Sequence, residues 1–322
     1  MIRFVIVRLL QAIPLMLAAT MVIFAAVSLA GDPLDQYRQP GVPQSTLDAK
    51  AHELGLDRPI WERYWTWITH AIHGDFGLSA SGQSVAQELS DRAAVSLRLV
   101  GFAIVVAIIV AIVVGFFAAV HHGKAVDKIL IAVTIVLLTA PEFWVAVIAK
   151  QGAIAANRAW GLTIPTIGDS TPGITGSPLA LWLDGLPYLI LPTIVLVLGV
   201  YPVWALYQRT AMIEVLDSDY LRFARAKGLG EGKVLVSHGL RTSLIPIVTM
   251  IALRIPWVVG GLVVVETIFG WQGLGSMLVE GIQKQDTDTV LAFLLFFAVL
   301  ITLLNLAADL ICRFLDPRVR DV

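Results

Sequence analysis

Residues 99–120 read LVGFAIVVAIIVAIVVGFFAAV, twenty-two positions without a charged side chain. At 1.5 Å per residue, roughly 20 apolar residues cross a hydrocarbon core of about 30 Å as a helix. Five more stretches reach that length, at about 4–29, 129–148, 186–206, 244–265 and 290–311. Lipid offers the backbone no water to bond, so each stretch is expected to be helical. The third is interrupted at its end by Ala149-Lys150-Gln151-Gly152. Of the 322 residues, 57% are hydrophobic and 15% charged, with mean hydropathy +0.80. Soluble domains run about 45–50% apolar and about 25% charged. The balance excludes a disordered chain and leaves too little polar surface for a soluble multi-domain enzyme. A net charge of −1 provides no basic field, so no nucleic-acid partner is expected. The single cysteine, Cys312, has no partner for an intrachain disulfide, and no metal site is expected.

Lys and Arg are unevenly divided between the two sides. One side receives the N-terminus, the short loop with Lys124 and Lys128, the loop 207–243 and the C-terminus, and holds 13 of the 23 bases. The other holds 8, spread over much longer loops, with Arg98 and Arg254 lying in or beside spans. Cytoplasmic loops carry the excess of basic residues, so both termini are expected inside, in accord with an even number of spans. Ser28-Leu29-Ala30 resembles a signal-peptidase site, but the apolar stretch before it exceeds the 7–15 residues of a cleaved signal and is read as a retained helix. The organisation is then a first transmembrane helix over 1–30, an extracytoplasmic segment over 31–94, a five-helix core over 95–311 and a cytoplasmic tail over 312–322.

The outer segment opens with turn residues around Pro40, Gly41 and Pro43. It is expected to form helices over 48–54 and 60–72, the second carrying Trp61, Tyr64, Trp65 and Trp67. Those aromatic residues suit either an interfacial belt or a docking surface for an external partner. Residues 163–187 form a second outward loop.

Catalytic motifs are missing. There is no G-x-x-x-x-G-K-[ST] for binding ATP, no H-E-x-x-H and no G-x-S-x-G. His121 and His122 are adjacent in a short cytoplasmic loop, point apart on a helix, and are read as solvated. Glu142 is the one mid-span acid. Arg254 lies ten residues into its span and must face protein or water, because lipid exposure there costs roughly 2.5–3.5 kcal/mol. It either lines a path or pairs, with Glu142 or with another subunit.

In the loop 207–243, residues 214–227 have a helical pattern that Gly228 and Gly230 stop, and a second amphipathic piece covers 233–240. Composition alone allows a solvated basic loop or a helix that fills a groove on a cytoplasmic protein. Here the residues become specific. Asp219-Tyr220-Leu221-Arg222-Phe223-Ala224-Arg225-Ala226-Lys227-Gly228-Leu229, then His238-Gly239-Leu240-Arg241 and Leu244-Ile245-Pro246, resembles the coupling loop of bacterial ABC importer permeases of the dipeptide/oligopeptide/nickel family. Further segments resemble its B-type subunits, nearest to oligopeptide permeases of actinobacterial type. They are Gly31-Asp32-Pro33, Leu54-Gly55-Leu56-Asp57-Arg58-Pro59 with Tyr64, and Gly74-Asp75-Phe76-Gly77 with Ser79. Glu266-Thr267-Ile268-Phe269-Gly270-Trp271-Gln272-Gly273-Leu274-Gly275 and Asp316-Pro317-Arg318-Val319-Arg320 complete the set. Gln272 stands where that family usually has proline, Glu142 where a small polar residue is common, and Arg254 falls outside its pattern.

The resemblance implies an all-α integral membrane protein with six transmembrane helices and the type I ABC importer permease fold. It implies a second homologous permease, two cytoplasmic ABC ATPases that bind ATP and Mg, an extracytoplasmic substrate-binding protein and a peptide substrate. The setting is the bacterial cell membrane, and no cofactor or catalytic residue is implied in this chain. Asp219, Tyr220, Arg222, Ala224, Arg225, Lys227, Gly228 and His238 are expected to couple to the ATPases. Asp57, Arg58, Tyr64 and Trp65 are expected to meet the binding protein, and Arg254, Glu142 and Glu266 to line the path. A dipeptide, nickel or glutathione importer is the alternative within the class; an ion-coupled secondary transporter and an intramembrane enzyme are the alternatives outside it. Reporter fusions at Pro40 and Gly232 should report opposite compartments, and the same compartment for both would overturn the topology.

Overall fold

The structure, a computed structural model, describes residues 2–30, 34, 38, 43–53 and 55–315, and every regular element among them is helical. Leu78 and Ser84 form an isolated antiparallel pairing, with no strand among the described residues. The motif Gly31-Asp32-Pro33, the expected turn at Pro40-Gly41, Leu54 and the motif Asp316–Arg320 lie outside them.

The helices are α1 (Ile2–Ala30), α2 (Gln44–Glu53), α3 (Ile60–Ile72), α4 (Val85–Val120), α5 (Ala125–Thr139), α6 (Glu142–Trp160) and α7 (Pro178–Asp184). They continue with α8 (Leu186–Leu216), α9 (Asp219–Ala226), α10 (Glu231–Lys233), α11 (Arg241–Phe269), α12 (Leu274–Gln283) and α13 (Thr287–Leu315). A π-helical segment, Val234–Leu240, joins α10 to α11. Five helical stretches are long and apolar enough to cross a membrane: Ile6–Leu29, Val85–Val120, Leu186–Leu216, Glu231–Ile255 and Thr287–Ile311. Two bent pairs could add to them, α5 with α6 at 105° and Val258–Phe269 with α12 at 72°.

The expected single helix over 129–148 is therefore two helices. Proline has no N–H to donate and restricts the residue before it to extended backbone. Ala140 and Pro141 have ψ of 128° and 130°, so α5 ends at Thr139 and α6 begins at Glu142. The break also changes the setting of Glu142, which occupies the first turn of a helix, where the helix dipole favours negative charge. Nor does Ala149-Lys150-Gln151-Gly152 interrupt the chain. α6 runs through it, with the Lys150 ammonium donating to the Ile268 carbonyl, and ends at Gly161 with φ of 64°.

The chain divides into two compact units, Met1–Ser96 with Gln272–Leu303 and Leu97–Trp271 with Leu304–Val322. In the first, the outer helix α3 lies on α1. The Tyr64 hydroxyl donates to the Leu17 carbonyl (3.1 Å) and meets Thr20 Oγ1 (2.9 Å), while its ring packs edge-on against Phe24. Asp286 ties the loop before α4 to the start of α13. It accepts from the Ala80 N–H (2.6 Å) and from the Thr289 N–H (3.1 Å) and hydroxyl (2.9 Å).

The second unit is built on a seam of small residues. Ala103, Ala107 and Ala111 are each 1% exposed and recur with Gly115 at every fourth position, forming one face of α4. Helices in lipid gain little from burying oil-like surface against each other, so small residues that let backbones approach closely drive their packing. A Cβ at Gly115 would lie 2.6 Å from the Ala205 carbonyl oxygen of α8 and 2.7 Å from Gln208 Cβ. Val197, Tyr201, Trp204 and Ala205 of α8 then meet Ile247 and Ile251 of α11, and Gln208 donates to Ser243 Oγ at 2.8 Å. Gly115→Val should destabilise the folded subunit by about 1–3 kcal/mol through overpacking. Gly101→Val, with nothing within 4 Å, is the control. Thermal unfolding in detergent reads both, and equal melting temperatures would reject the seam as the constraint.

Candidate functional site

α8 is 31 residues long, about 46 Å, so it outruns a bilayer core of about 30 Å. Residues 207–216, expected in a loop, are the end of that helix. The helical pattern over 214–227 is in turn divided. α8 stops at Leu216, the Ser218 hydroxyl donates back to the Val215 carbonyl (2.6 Å), and α9 starts at Asp219. Its inner face, Leu221 and Ala224, packs on Val234 with Val215, Leu216 and Leu229 at the edge. Ala224 is thus a packing residue, its methyl buried. The outer face presents Tyr220 (53% exposed), Phe223 (61%) and Arg222.

Other expected coupling residues hold the element's shape. The Tyr220 hydroxyl lies 2.7 Å from His238 Nδ1, Arg222 pairs with Asp219 at 3.3 Å, and Arg225 donates twice to Glu231 at 3.0 and 3.2 Å. The Glu231 carboxylate raises the pKa of the Arg225 guanidinium through these bonds. Both partners are exposed, so the pair adds only about 0–1 kcal/mol. The Lys227 ammonium sits 4.6 Å from the centre of the Phe223 ring. Gly228 has φ of 77°, the left-handed conformation that ends a helix cheaply only with glycine. Gly230, with φ of −62°, starts α10 instead of stopping a helix.

A second constellation lies in the second unit, where a cavity of about 180 Å³ is walled by Glu142 of α6, Gly199 and Trp204 of α8, and Arg254, Val258 and Gly261 of α11. Glu142 and Arg254 share this cavity, and no ion pair joins them among the described residues, so of the alternatives for Arg254 the pairing with Glu142 is not formed here. Glu266 is fully buried near the end of α11 and is not in the cavity wall. Its carbonyl accepts from the Trp271 N–H (2.9 Å), with Gly270 left-handed at the cap.

On the outer segment, Asp57 and Arg58 are exposed and Trp65 is 58% exposed. Tyr64 points the other way. It is 3% exposed and fastens α3 to α1, so only its neighbours are available to an external protein. Among the described residues, no group of three His, Cys, Asp or Glu side chains is placed to hold a metal ion.

Comparison with known proteins gives this geometry its context. Residues 111–321 match the model of the binding-protein-dependent transport system inner membrane component, and residues 1–87 match that of its N-terminal region. The chain belongs to this family. It is 41% identical over 323 residues to the oligopeptide transport system permease protein OppB of Mycobacterium tuberculosis (strain ATCC 25618 / H37Rv), covering 99% of both chains. To the glutathione transport system permease protein GsiC of Escherichia coli (strain K12) it is 32% identical over 322 residues, again over 99% of each. It is a multi-pass inner membrane permease component of an importer, and ion-coupled secondary transport is set aside.

The permease also carries a site that its sequence does not reveal. Asp127, its side chain 3% exposed at the start of α5, accepts from Arg209 Nε (2.7 Å) and Nη2 (2.8 Å) of α8 and from the Gly123 N–H (2.9 Å). His122 Nδ1 joins at 3.3 Å from Asp127 and 2.9 Å from Arg209, so this histidine is structural as well as solvated. Adjacent histidines do point apart, and it is His122 that turns inward. The only available signal was an acid in the first turn of a helix after a glycine; its partner lies 82 residues away. Arg209→Ala should leave Asp127 uncompensated and destabilise the permease by about 3 kcal/mol, while Arg209→Ala with Asp127→Asn should recover much of it. Thermal unfolding of the four forms measures this, and an unaffected single variant would refute the role.

Proposed function

We propose that this chain is the B-type membrane subunit of an ATP-driven peptide importer. The observation that carries this reading is the exposed Tyr220, Arg222 and Phe223 face of α9, held on a helix continuous with the transmembrane core. The OppB relative, alike over 99% of both chains, supports peptide as the substrate. A second reading within the class, glutathione, is favoured by the likeness to GsiC.

In this reading six spans cross the membrane with both termini inside: α1, α4, the α5–α6 pair, α8, α11 and α13, while α12 re-enters without crossing. A homologous permease faces this one, and an extracytoplasmic binding protein delivers peptide to the outer segment, where Asp57, Arg58 and Trp65 are exposed. Two cytoplasmic ATPases bind ATP and Mg and receive α9 in a surface groove. Their closure moves α9 as a rigid body. The π segment and the Tyr220–His238 and Arg225–Glu231 contacts keep it attached to α11, and α8 carries the displacement inward. Asp127 and Arg209 join that lever to α5, so the permease pair switches between inward-facing and outward-facing states together. No bond of the substrate is broken.

Reconstitution with the second permease, the ATPases and the binding protein tests the reading. Peptide should enter vesicles only with ATP and binding protein present, and uptake driven by an ion gradient without ATP would overturn it. Gly228→Val and Phe223→Ala should leave the subunit inserted but abolish peptide-stimulated ATP hydrolysis. Normal stimulation in both variants would reject α9 as the coupling element.

A further inference from the structure

The cavity between α6, α8 and α11 holds two opposite charges that leave each other unpaired. Acids and bases inside a membrane protein ordinarily pair with one another, because an uncompensated charge there is expensive. Glu142 and Arg254 line one cavity of about 180 Å³ without forming an ion pair among the described residues. That volume is below the roughly 300–1,000 Å³ of ordinary ligand pockets, so it suits a short peptide of small residues better than a drug-sized molecule.

The seat for Glu142 is specific. A Cβ at Gly261 would lie 2.5 Å from its Oε2 and 2.7 Å from its Oε1, so the carboxylate occupies the space that a side chain there would need. Trp204, fully buried, supplies part of the cavity wall. Spacing orders the charges. Arg254, Val258 and Gly261 share one face of α11, and seven residues of helix separate the levels of Arg254 and Gly261 by about 10 Å. About three extended residues cover that distance.

We propose that this cavity is a transit subsite for the ends of a short zwitterionic peptide. Glu142 receives the ammonium, and Arg254 receives the carboxylate as a two-pronged donor. The proposal rests on the peptide-importer reading and adds to it a selectivity that belongs to the membrane subunit.

The test uses the assembled complex of both permeases and ATPases in lipid nanodiscs, with the binding protein omitted so that its own selectivity does not enter. Radiolabelled trialanine is displaced by trialanine, by N-acetyl-trialanine or by trialanine amide. In the unmodified complex each blocked peptide should compete about tenfold more weakly than trialanine, the loss expected for one charge-assisted contact. Glu142→Gln should erase the penalty for acetylation alone, and Arg254→Met the penalty for amidation alone. Gly261→Ala, which keeps both charges but displaces the Glu142 carboxylate, should erase the acetylation penalty, and it keeps the test open if a charge variant fails to assemble. Equal competition by all three peptides in the unmodified complex, or a variant that weakens all three alike, would overturn the subsite. ATP-driven uptake with the binding protein present would then still support the importer, whereas its absence would count against that reading instead.

Discussion

The close approach of α4 to α8 is the constraint on which the second unit depends. In water a helix pair is driven together by its apolar faces, but in lipid those faces gain nothing by meeting, and close backbone contact must supply the attraction. Ala103, Ala107, Ala111 and Gly115 make that contact possible, and at Gly115 even a methyl group has no room. Once α8 is held there, Tyr201 and Trp204 meet Ile247 and Ile251 of α11, and Gln208 reaches Ser243. The cavity with Glu142 and Arg254 lies on the same α8–α11 contact, and the far end of α8 leads into α9.

Stiffness and breaks are distributed along the chain with a purpose. α8 passes 31 residues without leaving the helix despite Pro192 and Pro202, and it is braced near its C-terminal end by Arg209 and Asp127. The chain turns sharply at Pro141, where the bend delivers a carboxylate to the cavity at the N-terminus of α6. A straight third helix would leave that acid in mid-span without the favourable helix dipole.

Much of this is legible in the sequence because it depends on local chemistry. Apolar length marks the spans, the aromatic periodicity marks α3 at its observed bounds, Ile60–Ile72, and glycine marks the left-handed cap at Gly228. Apolar counting missed the break at Pro141 because a hydropathy window is blind to a missing N–H. Exposure was harder to read. Tyr64 and Trp65 are neighbours in an aromatic run, but helical geometry turns one onto α1 and the other outward. Ala224 likewise sits between two outward-facing residues of its motif. Contacts between distant residues were out of reach, as with Asp127 and Arg209, or Arg92 with Glu280 (3.1 Å).

The π winding between α10 and α11 has a consequence for how the chain tolerates change in length. A helix wound with i→i+5 bonds holds more residues per turn than an α-helix, and such winding absorbs an extra residue while the flanking turns keep their orientation. Val234–Leu240 lies between α9 and the face of α11 that carries Ser243, Ile247 and Ile251. A chain one residue shorter here can wind as ordinary α-helix, with both neighbours still facing their partners. The same deletion within 243–251 would rotate everything beyond it by about 100° and carry Arg254 away from the cavity. The junction is a reserve of slack between α9 and the packed face of α11.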